Sequence, residues 1–181
     1  MRETKFKGRI WVITDKNGKL IEDIDTDQIY HNAHLHITDI KEMGKYAFGN
    51  LEGWEDFPRK AKPGDILFVG RNFGAGSSRQ HAVDCFKALG ISAIVGESFG
   101  AIYKRNAINS GMPLIEFPGL SKLVEDGKFQ SGDEVEIDFL TGKIRNLTKN
   151  FEVQAKKPSK VQIDIYLAGD IFKYGRAIAK N

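Results

Sequence analysis

Glycines at 70, 74 and 76, hydroxyls at 77 and 78 and a guanidinium at 79 fall within one short segment. It reads Gly70-Arg71-Asn72-Phe73-Gly74-Ala75-Gly76-Ser77-Ser78-Arg79-Gln80-His81-Ala82. The apolar run 66–69 ahead of it predicts a strand. Behind it, Ala82, Cys85, Phe86 and Leu89 stand at i, i+3, i+4, i+7 and predict an amphipathic helix over 78–89. A helix start offers unpaired N–H groups and about half a positive charge, so it attracts anions. Glycines let an anion come close to the backbone. Arg79 adds a planar fork that matches a carboxylate bidentately. The chemistry on offer is the binding of a carboxylate or phosphate. The plainer alternative is structural: Ser77 and Gln80 form a capping box, the glycines only turn the chain, and Arg79 lies on the surface. The spacing is neither a dinucleotide fingerprint nor a P-loop.

Two other clusters carry donor groups. Asp23-Ile24-Asp25-Thr26-Asp27-Gln28 sets three acids at i, i+2, i+4, as a calcium loop would, but the later positions of an EF-hand loop are missing. Such acids in turns commonly serve as caps. His31-Asn32-Ala33-His34-Leu35-His36 invites a zinc reading with Asp27 or Asp39 nearby, although no fourth ligand is evident.

The elements that must hold these groups follow from periodicity. A strand is expected over 6–13, a turn at Asp15-Lys16-Asn17-Gly18-Lys19 and a helix over 39–48 capped by Thr38 or Asp39. Residues 49–58 read as a loop. Strands over 66–69, 91–95 and 114–117 alternate with helices over 78–89 and 99–109. This βαβαβ run predicts a parallel sheet with right-handed crossovers. A hairpin is expected over 134–139 and 143–147, turning at Thr141-Gly142. Another strand is expected over 151–155, and one final helix over 163–178. No linker-like composition interrupts the chain, so 1–181 is expected to form a single α/β domain with β-rich additions at both ends.

Composition narrows the class. The chain has 181 residues and one cysteine, Cys85, which excludes an internal disulfide or a four-thiolate metal site. Its net charge is +3, with the signs interleaved, so no nucleic-acid-binding stripe is visible. No apolar run approaches the roughly 20 residues that span a membrane. A free thiol and no apolar export signal over 1–7 point to the cytoplasm.

The pairing of Asp25-Thr26-Asp27-Gln28-Ile29 with Gly74-Ala75-Gly76-Ser77-Ser78-Arg79-Gln80-His81-Ala82 resembles the small subunits of 3-isopropylmalate dehydratase and homoaconitase, the swivel domain of the aconitase family. Ser98-Phe99, Arg105-Asn106-Ala107-Ile108-Asn109 and Gly111-Met112-Pro113-Leu114 fit the same pattern, over about residues 8–120. The resemblance implies an aconitase C-terminal-type β/β/α domain. It implies a hydro-lyase subunit, inactive without a large subunit that holds a [4Fe–4S] cluster. The substrate would be a hydroxy di- or tricarboxylate whose hydroxyl moves between adjacent carbons. By the same resemblance Ser77 would be the base, Arg79 would hold a substrate carboxylate and stabilise the serine anion, and Asp27 would join their hydrogen-bond network. Ser78 would help bind substrate, and His81 would orient the loop.

Several positions depart from the family pattern. His31 replaces a common proline, Ala75 a frequent cysteine and Ala101 a frequent arginine. The window that would read the substrate's variable group is His34-Leu35-His36-Ile37. Homoaconitase-like sequences tend to carry arginine at the position of His36. Leu35 and Ile37 lean toward a branched apolar group, such as that of isopropylmalate in leucine biosynthesis. Homoaconitate or 2,3-dimethylmalate is the alternative. From a different class, a non-catalytic anion-binding module would use the same fold, but it would have no need of Ser77, Arg79 and Asp27 together.

Overall fold

The structure is a computed structural model and describes residues 2–180. Its strands are β1 (Lys5–Val12), β2 (Ile66–Val69), β3 (Ala93–Gly96), β4 (Leu114–Glu116), β5 (Glu134–Asp138), β6 (Lys143–Asn146) and β7 (Phe151–Gln154). Its helices are α1 (Thr26–Ile29), α2 (Ile40–Met43), α3 (Phe57–Lys60), α4 (His81–Ala88), α5 (Ala101–Asn109), α6 (Leu120–Glu125), α7 (Lys160–Ala168) and α8 (Ile171–Ala179). The strands form one sheet in the order β4-β3-β2-β1-β5-β6-β7.

The βαβαβ run is present as β2-α4-β3-α5-β4, and its strands are parallel. β1 joins the two halves of the sheet. It pairs parallel with β2, Ile10 opposite Ile66, and antiparallel with β5, Phe6 opposite Ile137. The expected hairpin is β5–β6, and β7 extends it antiparallel.

β2 and β3 are buried throughout because both faces are covered. The period of two sorts their side chains. Leu67, Val69 and Ile94 enter one core with Phe48, Phe57, Phe73, Phe86 and Tyr103. Ile66, Phe68, Ala93 and Val95 enter the other with Phe129, Phe139 and Tyr166.

Three helices differ from expectation. The helix expected from Ser78 starts at His81, so Ser77, Ser78 and Arg79 lie in the connection ahead of it. The backbone at Ala75 is taken by pairing with Asp25, and the Arg79 side chain reaches toward α1. The Ser77–Gln80 capping box therefore does not form. The helix expected over 39–48 is a short α2, capped by Asp39, followed by a 3-10 turn at Gly44–Tyr46. The final helix is two. Gly169, at φ 114°, breaks it, and Asp170 caps α8 by accepting from the Lys173 N–H. The helices α1, α3 and α6 have no counterpart in the periodicity.

Phe68 is fully buried and its ring centroid lies 4.9 Å from that of Phe129. Phe68→Ala is expected to lower unfolding free energy by about 3–5 kcal/mol in a urea titration of the full chain.

Candidate active site

The two distant motifs meet through their backbones. The Thr26 N–H donates to Ala75 O at 2.9 Å, and the Gly74 N–H to Ile24 O at 2.8 Å. Asp25 and Ala75 form a parallel bridge. Asp25 also caps α1. Its carboxylate accepts from the Gln28 N–H at 2.8 Å while the Gln28 side chain accepts from the Asp25 N–H at 3.0 Å. This reciprocal capping box fixes α1 directly beside the glycine loop.

Asp27, in the single turn of α1, faces Arg79. The Arg79 Nη1 donates to Asp27 Oδ1 at 3.0 Å and to Tyr30 O at 2.8 Å. Asp27 Oδ1 also accepts from the Asn32 N–H at 2.9 Å, and Oδ2 from Asn50 Nδ2 at 3.0 Å. Partial burial pushes the Asp27 carboxyl up. The Arg79 hydrogen bond, the Asn32 N–H, the nearby His31 ring and the Arg79 charge outweigh it and hold the pKa below the ordinary aspartate value. Arg79 is largely buried, its side chain 13% exposed. Its Nη2 and Nε make no hydrogen bond among the described residues.

The glycine loop is fixed from its other side as well. The Phe73 N–H donates to Ser98 O at 3.1 Å, the Gly100 N–H to Phe73 O at 2.9 Å and the Asn72 N–H to Ser98 Oγ at 2.8 Å. Gly74 has φ 83°, and a Cβ there would lie 2.2 Å from Tyr103 Cγ. Tyr103 is itself pinned, its hydroxyl donating to Ala82 O at 2.9 Å. Ser77 and Ser78 are exposed. Asn106 Nδ2 donates to Ser78 Oγ at 2.9 Å. The Ser77 hydroxyl makes no hydrogen bond among the described residues.

The 34–37 window lies beside this loop. The His81 ring nitrogen Nε2 lies 2.9 Å from Ile37 O, and a carbonyl only accepts, so Nε2 carries the proton. The His34 ring stacks on Tyr46 at 3.9 Å. Its burial, with the His31 and His36 rings nearby, lowers its pKa from the ordinary histidine value and so favours the neutral ring. His36 is exposed, Leu35 is 39% exposed, and Ile37 is half-buried against the core.

The other donor clusters are dispersed. Asp23 accepts from Arg71 and Asn72, Asp25 caps α1 and Asp27 holds Arg79. The Nδ1 of His31 accepts from the Ala33 N–H. Among the described residues no group of three or more His, Cys, Asp or Glu is placed to hold a metal ion. Cys85 is buried, and burial together with the nearby Asp84 pushes its thiol pKa far up, so it packs as a neutral side chain. The residues present therefore do not fit an iron–sulfur cluster. No helix among the described residues is long and apolar enough to cross a membrane.

Sequence reasoning assigned no role to Tyr30, Asn50, Tyr103 or Asn106. Asn106 lies in a segment that carries the family likeness, which was the one available signal. Tyr30 follows the Asp-Thr-Asp-Gln-Ile segment and reads as an ordinary core aromatic.

A mixed sheet with a serine-and-arginine loop locked to an aspartate on a neighbouring turn defines an aconitase C-terminal-type domain, and residues 55–119 match the family model described as the aconitase C-terminal domain. The isopropylmalate/citramalate isomerase small subunit of Methanocaldococcus jannaschii is 40% identical over 93% of this chain and 92% of its own length. The 3-isopropylmalate dehydratase small subunit of Caldicellulosiruptor saccharolyticus is 40% identical over 94% of each. A crystal structure of 3-isopropylmalate dehydratase from Methanocaldococcus jannaschii superposes with a TM-score of 0.82 at 33% identity, covering 97% of this chain and 96% of that one. The chain belongs to the family of 3-isopropylmalate dehydratase small subunits, and so to the hydro-lyases.

Two outcomes follow from the geometry. Gly74→Ala forces a left-handed backbone and a clash with Tyr103. It is expected to cost about 1–3 kcal/mol or more in a thermal or urea unfolding measurement. Because the folded Asp27 pKa lies below its unfolded value, its contribution to stability is present above the unfolded pKa and is lost as pH falls through the folded one. The stability difference between the native chain and Asp27→Asn is therefore expected to hold from neutral pH down to the ordinary aspartate range. Below that range it shrinks, as read by unfolding at a series of pH values.

Proposed function

We propose that this chain is the small subunit of a heteromeric enzyme that reversibly dehydrates a malate-type 2-hydroxy acid. The reaction we favour is the interconversion of 3-isopropylmalate and 2-isopropylmalate in leucine biosynthesis, in the cytoplasm. The observation that carries this reading is the state of Arg79. One terminal nitrogen is spent on Asp27 and the Tyr30 carbonyl, while Nη2 and Nε stay available beside two exposed serines. An arginine held in that way presents a preset fork to a carboxylate.

In this proposal Ser77 takes the carbon-bound proton as the hydroxyl leaves the neighbouring carbon. It returns a proton when water re-adds in the opposite sense. A free serine is a poor base, so its anion needs a fixed positive neighbour. Arg79, two residues on, supplies that charge and also binds a substrate carboxylate. Asp27 keeps Arg79 oriented. Ser78, held by Asn106, adds a hydroxyl to the carboxylate site. The [4Fe–4S] cluster expected of the family is assigned to the large subunit, since Cys85 is buried and packed and no other thiol exists in the chain. His34, His36 and Ile37 would border the substrate's variable group. Homoaconitate and 2,3-dimethylmalate are the alternative substrates.

The isolated chain is expected to show no hydration activity and to gain it on mixing with an anaerobically reconstituted large subunit. In that complex Ser77→Ala is expected to lower kcat by about 10²–10⁴-fold. Activity from the isolated chain, or an unchanged Ser77→Ala complex, contradicts the assignment.

A further inference from the structure

Tyr30 is fully buried and connects two parts of the site that its neighbours in sequence do not. Its carbonyl accepts from Arg79 Nη1 at 2.8 Å. Its hydroxyl donates to His34 O at 2.8 Å. Its ring packs against His81, centroids 5.0 Å apart, and lies edge-on to Tyr46 at 6.2 Å. His81 in turn donates to Ile37 O at 2.9 Å. The window 34–37 is thus tied at both ends, at His34 by Tyr30 and at Ile37 by His81. Inside it the Ile37 N–H closes a turn on the same His34 carbonyl, at 3.2 Å. Both tethers start from the residues that surround the arginine clamp.

We propose that Tyr30 and His81 are positioning residues that set the 34–37 window at a fixed place relative to Arg79, and thereby determine selectivity for the substrate's variable group. This rests on the functional reading above and goes beyond it by assigning selectivity to residues outside the window. The physical logic is a shared reference point. Arg79 fixes the carboxylate end of the substrate. The variable group is then discriminated only if the surface facing it stays at a constant distance from that anchor. Tyr30 supplies this, because one residue holds the anchor through its backbone and the window through its hydroxyl.

The test uses the reconstituted complex and malate-type acids with an isopropyl, a methyl or a carboxyl-bearing variable group. Tyr30→Phe keeps the packing and the carbonyl but removes the bond to His34 O. It is expected to change the ratio of kcat/KM between isopropyl and methyl substrates by about three- to tenfold, through KM more than kcat. His81→Leu is expected to move the same ratio, and His81→Gln, which keeps an N–H donor, to bring it back to within about twofold of native. Amide exchange at Ile37 in the full chain is expected to quicken in Tyr30→Phe. Should Tyr30→Phe fail to fold, the His81 pair decides alone. A uniform loss across all substrates with an unchanged ratio overturns the proposal. His36→Ala and Ile37→Ala separate the two levels. If they move the ratio and the tether variants do not, the positioning role fails and the window reading stands. If none moves it, the window reading fails too.

Discussion

The backbone bridge between Asp25 and Ala75 is the constraint on which the site depends. Alone, the glycine loop is an exposed connection with two serines, and α1 is a single turn that would fray in water. The bridge and its flanking hydrogen bonds join them. Only then does Asp27 lie within reach of Arg79. The capping box at Asp25 fixes α1, and the tight packing of Gly74 on Tyr103 fixes the loop. The chemistry-bearing side chains sit on short elements because the sheet and its two cores carry the rigidity.

Electrostatics then divides the labour within the site. Asp27 is held ionised chiefly by a guanidinium and a backbone N–H, against the cost of partial burial. That carboxylate occupies one Arg79 nitrogen, and the Tyr30 carbonyl shares it. A mostly buried arginine with one end satisfied avoids the penalty of an unpaired charge and leaves its Nη2 and Nε donors unspent. His34, stacked on Tyr46, favours its neutral ring and so adds little positive charge beside the window. The environment around 34–37 is accordingly mixed, with an exposed His36 and Leu35 over an inward-packed Ile37.

Much of the fold was legible because its signals are local. Buried runs such as Ile66–Val69 and the alternation in Glu134–Asp138 depend on neighbours in sequence and on a simple period. The candidate site was legible as two motifs, and the likeness to a known family joined them. Helix boundaries were less readable where long-range demands win. The start of α4 moved to His81 because the preceding backbone and Arg79 are committed to α1. The break at Gly169 depends on a left-handed glycine and the Asp170 cap, which a sixteen-residue apolar period conceals. The role of Tyr30 was hidden because it reads as an ordinary core aromatic, and that of Asn106 rests on a hydrogen bond to Ser78, 28 residues away in sequence, with only the family likeness of its segment to signal it.

Cys85, the chain's one thiol, is packed in the core, so the chemistry proposed for this chain rests on Ser77, Arg79 and Asp27. The joint action of the last two is the central physical statement, and a double-mutant cycle on kcat/KM of the reconstituted complex tests it most directly. If Asp27 works by orienting Arg79, Asp27→Ala adds little once Arg79→Ala is present, and the double variant matches Arg79→Ala within about twofold. Losses that multiply independently would mean that the two residues act separately, and that the Asp27–Arg79 contact does not organise the site.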